Sequence, residues 1–288
     1  MSVYLRYLRA RRAARTAHVI GVCRFSWPAL GGFKTEHDTP EERARFLYAP
    51  ERLDERFRLF EAFTLPSLRA QTDQDFTFLI VTGDTLPKAR RDQLHDLTRD
   101  MPQVVIEAHP PGIHRHVLRD AINRLKRKGV WSIQFRHDDD DAINRRFVAE
   151  TRRTLRDHFP LFQRTGHGVI DFTRGWNARG SAQGILAEPA NTLFLGVAYA
   201  MAFRPGDPLT VMNFFHHRAW EHLPAIVRID PDMWVRGVND HNDSRETLDR
   251  NIALLSPADE AKWRKTFGIN AEQVRAIWQR AADVRDRS

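Results

Sequence analysis

The chain has 288 residues, 42% of them hydrophobic, with 45 Lys or Arg against 37 Asp or Glu, a net charge of +8 and a single cysteine. That length and apolar content suffice for one sizeable core, and one cysteine, Cys23, excludes an intramolecular disulfide. No run approaches the ~18 to 20 apolar residues that span a bilayer and no secretory signal precedes the first apolar segment, so the chain reads as soluble and cytoplasmic.

Residues 1–17 are a basic segment in which Arg6, Arg9, Arg11, Arg12 and Arg15 flank Tyr4, Leu5, Tyr7 and Leu8. Two readings are open for it. One is a frayed, solvated terminus. The other is a short helix lying on an anionic membrane, its arginines at the headgroups and its Leu and Tyr in the interface, which makes the protein peripheral at the inner face.

HVIGVCRFSW (18–27) reads as a buried strand, followed to about residue 49 by a long loop rich in Pro, Gly and charge. Leu53, Phe57, Phe60, Phe63 and Leu68 then recur at helical spacing, with Pro66 marking a late kink or an end. DFTFLIVTGD (75–84) is a second buried strand. LPKARRDQLHDLTRD, QVVIEAH, HRHVLRDAINRLKRK and VWSIQFR follow as helix, strand, helix and strand, and HDDDD leads into a further amphipathic helix, AINRRFVAETRRTLRDHF. This alternation over 18–160 predicts an α/β fold with a mostly parallel sheet flanked by helices.

Residues 161–288 complete the same single domain with a mixed extension. Short strands near GVIDFT, AQGILAE and TLFLGVAYAMAF precede a helix in LTVMNFFHHRAW, an extended segment in PDMWVRGVNDHNDSR and two closing helices from Ser256 and Asn270.

Asp138, Asp139, Asp140 and Asp141 stand at the end of an apolar strand, where an α/β sheet places its ligands. Four adjacent carboxylates repel one another unless a cation offsets them, and oxygen ligands of this type suit Mg²⁺ or Mn²⁺. In an extended stretch Asp138 and Asp140 share one face and Asp139 and Asp141 the other. The alternative is a solvated turn in which Asp140 or Asp141 caps the helix beginning near Ala142.

The order of RFSW, FTLPSLRAQTDQDFTFLIVTGDTLP, FRHDDDDAI and MWVRGVNDHNDS resembles the "putative rhamnosyltransferase" family, related to family-2-like glycosyltransferases of the GT-A fold, over about residues 18–245. The resemblance implies a GT-A-like, Rossmann-like sheet and transfer of a sugar, rhamnose by the family's label, from a nucleotide-sugar donor to a glycan or lipid-linked acceptor. Within it residues 18–160 are the nucleotide-sugar-binding half and 161–288 the acceptor half. It makes Asp84 a nucleotide contact and HDDDD an Asp-x-Asp motif, with Asp138 and Asp140, or by a one-residue shift Asp139 and Asp141, serving Mn²⁺ or Mg²⁺ and the donor. Arg24 and Arg136 are the cations expected nearest the departing diphosphate. GT-A enzymes often take a further metal ligand from the C-terminal half, and among His216, His217 and His241 the polar loop around His241 suits it best. Inverting transfer needs a base. Glu221, Asp171 and Asp230 are its candidates, with Trp176 and Trp220 as stacking surfaces for the acceptor.

Two other classes compete. One is a metal-dependent phosphoryl-transfer or nuclease-type enzyme using the same aspartates, and the other a non-catalytic metal- or anion-binding module. No Walker A, GxGxxG or EF-hand spacing is present, and dispersed arginines form no nucleic-acid module, so no nucleic-acid partner is expected.

Overall fold

A computed structural model describes residues 3–31, 37–239 and 252–285. Four parallel strands come from the first half: β1 (His18–Arg24), β2 (Phe76–Gly83), β3 (Val104–His109) and β4 (Ser132–Arg136). The second half adds β6 (His167–Phe172), β9 (Tyr199–Phe203) and β10 (Ala225–Arg228), so the main sheet runs β10-β6-β9-β4-β1-β2-β3 with β9 alone antiparallel. The α/β fold with a mostly parallel sheet is thus as the alternation implied. β5 (Ala142–Ile143), β7 (Arg174–Ser181), β8 (Gly184–Asn191), β11 (Trp234–Gly237) and β12 (Ala253–Leu254) form a second sheet.

The central strands are apolar on both sides because helices cover both faces. On one face Phe57, Phe60, Leu65, Leu94, Phe147 and Phe162 pack against Val19, Phe78, Ile133 and Phe135. These come from α3 (Pro50–Leu59), α4 (Leu65–Arg69) and the turn between them, α5 (Lys88–Thr98), α7 (Phe147–Asp157) and α8 (Phe159–Thr165). On the other, Leu118, Ala121 and Ile122 of α6 (His114–Leu125) meet Ile20, Leu79 and Met201. The second sheet buries Ala178, Ile185 and Val235 against Trp263, Phe267, Val274 and Ile277 of α9 (Pro257–Phe267) and α10 (Ala271–Arg285).

Several elements depart from the sequence expectation. The N-terminus is not frayed: α1 (Val3–Thr16) buries Ala10 and Ala14, and Arg152 of α7 donates to the carbonyls of Ala14, Arg15 and Ala17 at its end. The long loop after β1 contains α2 (Pro40–Leu47), started by Thr39, whose side chain accepts from the Glu42 amide. The helix expected from Ala142 begins only at Phe147, because Ala142 and Ile143 pair with β11, so neither Asp140 nor Asp141 caps it. LTVMNFFHHRAW is not one helix but two 3₁₀ turns, Val211–Asn213 and His216–Glu221. β7 and β10 were not foreseen.

Between α3 and α4, Phe60–Thr64 forms a π-turn, with the Leu65 amide donating to the Phe60 carbonyl. Pro66 lies just beyond it, where a proline disturbs regular helical bonding. Thr64 is thereby aimed at the acidic run.

Candidate active site

The parallel strands bring their carboxyl ends to one edge, and adjacent β1 and β4 deliver Arg24 and Arg136 there. The His137 amide bonds the Val22 carbonyl at 3.0 Å, which extends the ladder up to the acidic run. His137 itself is buried, edge-on to Phe78 and Phe135, and burial lowers its pKa to about 4, so it is a neutral part of the core.

Asp138 to Asp141 do not continue as a strand. The Asp141 amide donates to the Asp138 carbonyl at 3.2 Å, closing a turn in which the two-residue alternation of side chains no longer applies. Asp139 and Asp140 therefore reach the same cation, Arg56 of α3. Its Nε and Nη2 donate to the two oxygens of Asp139, the former at 3.0 Å, and its Nη1 donates to Asp140 Oδ2 at 3.1 Å. Asn239 Nδ2 donates to the same Asp140 oxygen at 2.8 Å. Burial works against the charge on Arg56, but the Asp140 and Asp138 carboxylates outweigh it and raise its pKa.

Asp141 accepts the Gly237 amide at 3.1 Å, and Thr64 Oγ1 donates to its carbonyl at 2.8 Å. Burial, reinforced by the charges of Asp140 and Asp138, pushes the Asp141 pKa well above the ordinary carboxylate range. Arg56 thus offsets part of the repulsion among the four aspartates from within the chain, and burial disfavours the charge on Asp141. Asp138 differs from the other three. It is exposed, its carboxylate makes no hydrogen bond to a described residue, and it faces guanidinium groups. Desolvation raises its pKa, but Arg136, Arg24 and Arg56 together outweigh that and hold it below the usual carboxylate range.

Two residues of α6 join this edge. His114 is buried at the first turn, and burial together with Arg24, Arg136 and Arg115 lowers its pKa to about 3. Burial and then Arg136 lower the pKa of Arg115, whose guanidinium lies 4.0 Å from the centre of the Phe215 ring. A helix N-terminus with Arg24, Arg115 and Arg136 beside it offers an anion-binding surface next to Asp138. Asp84, at the end of β2, is exposed on the same carboxyl edge, its amide bonded to the His109 carbonyl at 3.0 Å.

Of the three candidate bases, Glu221 is committed to Arg218 through contacts of 3.0 to 3.2 Å, and Asp230 is paired with Arg174 at 2.5 Å beyond the edge strand β10, three strands from β4. Asp171 lies at the carboxyl end of β6 but is fully buried. Its Oδ2 accepts the Phe194 amide at 2.9 Å, and burial raises its pKa to about 6. The Phe194 carbonyl in turn pairs with His216 Nδ1 at 2.6 Å. His216 is half-buried; burial lowers its pKa, and the charges of Arg136 and Asp138 also act on it, which places it beside the acidic run.

Trp220 is 52% exposed and stacks, with centroids 6.3 Å apart, on Phe194, the residue whose carbonyl pairs with His216. Trp176 is elsewhere, edge-on to Trp263 under Lys262, in a recess of about 270 Å³ that Arg174 and Asp232 also line. His241 lies outside the described residues. Arg56, His114, Arg115 and His216 were not chosen from the sequence. The helical register of Arg56 one turn before Phe60 was readable, but nothing local pointed it at residues 139 and 140.

Among the described residues no group of three or more His, Cys, Asp or Glu is arranged to hold a metal. Asp138 is the member of the run whose carboxylate remains available to one, a fit for Mg²⁺ or Mn²⁺ held by one carboxylate, water and substrate phosphates.

Residues 18–251 match the family model described as "Putative rhamnosyl transferase". No curated protein matches the chain. Among solved structures, S. aureus TarS is similar with 13% identity and a TM-score of 0.41, over 77% of this chain and 37% of that one. A TarS fragment, residues 1–349, in complex with UDP-GlcNAc is similar at 11% identity and a TM-score of 0.41, over 81% and 62%. A "putative nucleotide-diphospho-sugar transferase" from Desulfovibrio desulfuricans G20 is similar at 10% and 0.34, over 93% and 95%. The chain therefore spans between 37% and 62% of the TarS chains it resembles.

Proposed function

The chain belongs to the family described as "Putative rhamnosyl transferase", and we propose that it is a glycosyltransferase that moves a sugar from a nucleotide-sugar donor, its diphosphate bound at Asp138, Arg24, Arg136 and Arg115. The observation that carries this reading is the pairing of one exposed carboxylate with several guanidinium groups at the carboxyl ends of β1 and β4. A diphosphate is the anion that needs both: arginines for its oxygens and a carboxylate for the divalent ion that accompanies it. Asp138 would hold a Mg²⁺ or Mn²⁺, which when bound would supply Lewis acidity to the departing diphosphate. Arg24, Arg136 and Arg115 donate hydrogen bonds to the same leaving group, and the first turn of α6 adds its oriented amides. Arg56 holds the turn that presents Asp138, and the exposed Asp84 on the same edge would meet the nucleoside.

On the acceptor side, His216 suits the base better than the carboxylates considered from sequence. A nitrogen bonded to a carbonyl must carry the proton, so Nδ1–H donates to Phe194 and a neutral ring keeps its lone pair on Nε2. That nitrogen can take a proton from an acceptor hydroxyl. Asp171 holds the Phe194 peptide from the other side, a positioning role. Trp220 offers an exposed ring for the acceptor sugar. Thermal-shift titration with UDP, GDP and dTDP sugars, with and without Mn²⁺, tests the donor assignment, since a ligand of the native state raises apparent stability. A shift with one nucleotide sugar is expected, and none with any of them overturns it.

A further inference from the structure

The first six residues of α1 include Val3, Tyr4, Leu5, Tyr7 and Leu8, and each is exposed, from 40% for Leu8 to 74% for Val3. The burial of this helix comes later, at Ala10 and Ala14, where it meets α7 and Arg152 closes its last turn. A helix that packs on α7 through Ala10 and Ala14 does not require five exposed apolar side chains in its first two turns. They form an apolar tip, and Arg6, Arg9, Arg11, Arg12 and Arg15 ring the helix behind it. Between residues 3 and 16 there is no Asp or Glu.

We propose that this tip docks on an anionic lipid surface, with Tyr4, Tyr7 and Leu8 entering the headgroup–acyl boundary and the arginine ring meeting lipid phosphates. The charge is what commits the surface to lipid. A partner helix offers an apolar groove without requiring five positive charges, whereas an anionic membrane supplies both an apolar layer and a dense negative one at the spacing of a helical turn or two. Tyrosine, with an apolar ring and a polar tip, suits that boundary.

The geometry also orients the protein. The end of α1 is held by Arg152, and Tyr7 lies within electrostatic range of Arg156, one turn further along α7. The tip therefore points toward the C-terminal end of α7, while the acidic run precedes its N-terminal end. Docked by α1, the protein holds the two at opposite ends of an 11-residue helix, roughly 16 Å apart along its axis, and the carboxyl edge of the sheet opens away from the bilayer.

Co-sedimentation of the full chain with phosphatidylglycerol–phosphatidylcholine vesicles, against phosphatidylcholine alone, tests this directly. Binding is expected to the anionic vesicles only and to weaken as salt is raised. Tyr4→Ser with Leu8→Ser changes no charge and no packed residue, and should weaken binding about tenfold or more; Arg9→Glu with Arg12→Glu should abolish it. Both variants should keep the wild-type circular dichroism spectrum and melting temperature. Equal binding to both vesicle types overturns the proposal, as does retention of binding in both variants. So does tighter binding to a DNA or RNA duplex that competes with the vesicles, which would make the arginines a nucleic-acid surface. None of these outcomes depends on the catalytic reading.

Discussion

Replacing Arg56 with methionine keeps the apolar stem of the side chain and removes the guanidinium that three hydrogen bonds tie to Asp139 and Asp140. Both carboxylates are buried, 3% and 5% exposed, so water cannot take over from the lost cation. Breaking a buried ion pair by deleting one partner costs about 3–5 kcal/mol, because the survivor remains as an uncompensated buried charge. With a urea dependence of ~2 kcal/mol per molar for a chain of this class, the unfolding midpoint should fall by about 1.5–2.5 M. Urea titration followed by tryptophan fluorescence reads this. Adding Asp139→Asn to Arg56→Met removes one stranded charge and should restore a measurable part of the loss, so the two substitutions are strongly non-additive. A loss under about 1 kcal/mol, or simple additivity, would refute the view that Arg56 is the internal counter-cation of the acidic run.

Other substitutions probe separate parts of the account. Asp171 has a folded pKa of about 6 against an ordinary 3.8, so the folded chain keeps a proton between those values that the unfolded chain has lost. Stability should therefore fall as pH rises from about 4 to 6, by up to ~3 kcal/mol from this group. Asp171→Asn should flatten that part of the profile in urea melts at pH 4.5 and 7, and an unchanged slope would contradict the assignment. Gly237→Ala places a methyl carbon 2.3 Å from the Asp140 carbonyl oxygen, so it should cost about 1–3 kcal/mol and disturb donor binding with it. Ser256→Ala removes the hydroxyl that accepts the Asp259 amide at the start of α9 and should cost about 1 kcal/mol while leaving donor binding intact.

Much of the fold was legible because the β-rich apolar runs at 18–24, 76–83 and 132–136 can only be strands covered on both faces. β7 was not, since RGWNARGS pairs on both edges yet carries Arg, Asn and Gly where an apolar alternation would have announced it. The acidic run was visible as a place, but its internal arrangement was not. A turn between Asp138 and Asp141 replaced the expected alternation, and Arg56, 83 residues from Asp139, is a non-local partner that no spacing rule identifies. His216 was weighed from the sequence only as a metal ligand, within an expected helix that the structure replaces with two 3₁₀ turns, the second beginning at His216. The role proposed for it depends on its hydrogen bond to Phe194, whose amide Asp171 accepts from β6, paired with β9.

Asp138, set among Arg24, Arg136 and Arg115, is proposed to hold, through a divalent ion, the diphosphate of a nucleotide-sugar donor. The measurement that meets this claim most directly is nucleotide release from a panel of nucleotide sugars in the presence of Mn²⁺, with wild type and Asp138→Asn compared at equal folded concentration. The exposed Asp138 carboxylate makes no hydrogen bond to a described residue, so the variant should keep the wild-type melting temperature. One donor should be turned over by the wild type, with the rate falling at least a hundredfold in the variant, in line with loss of a group that stabilises leaving-group charge. Turnover of the same donor at the wild-type rate by Asp138→Asn would contradict it.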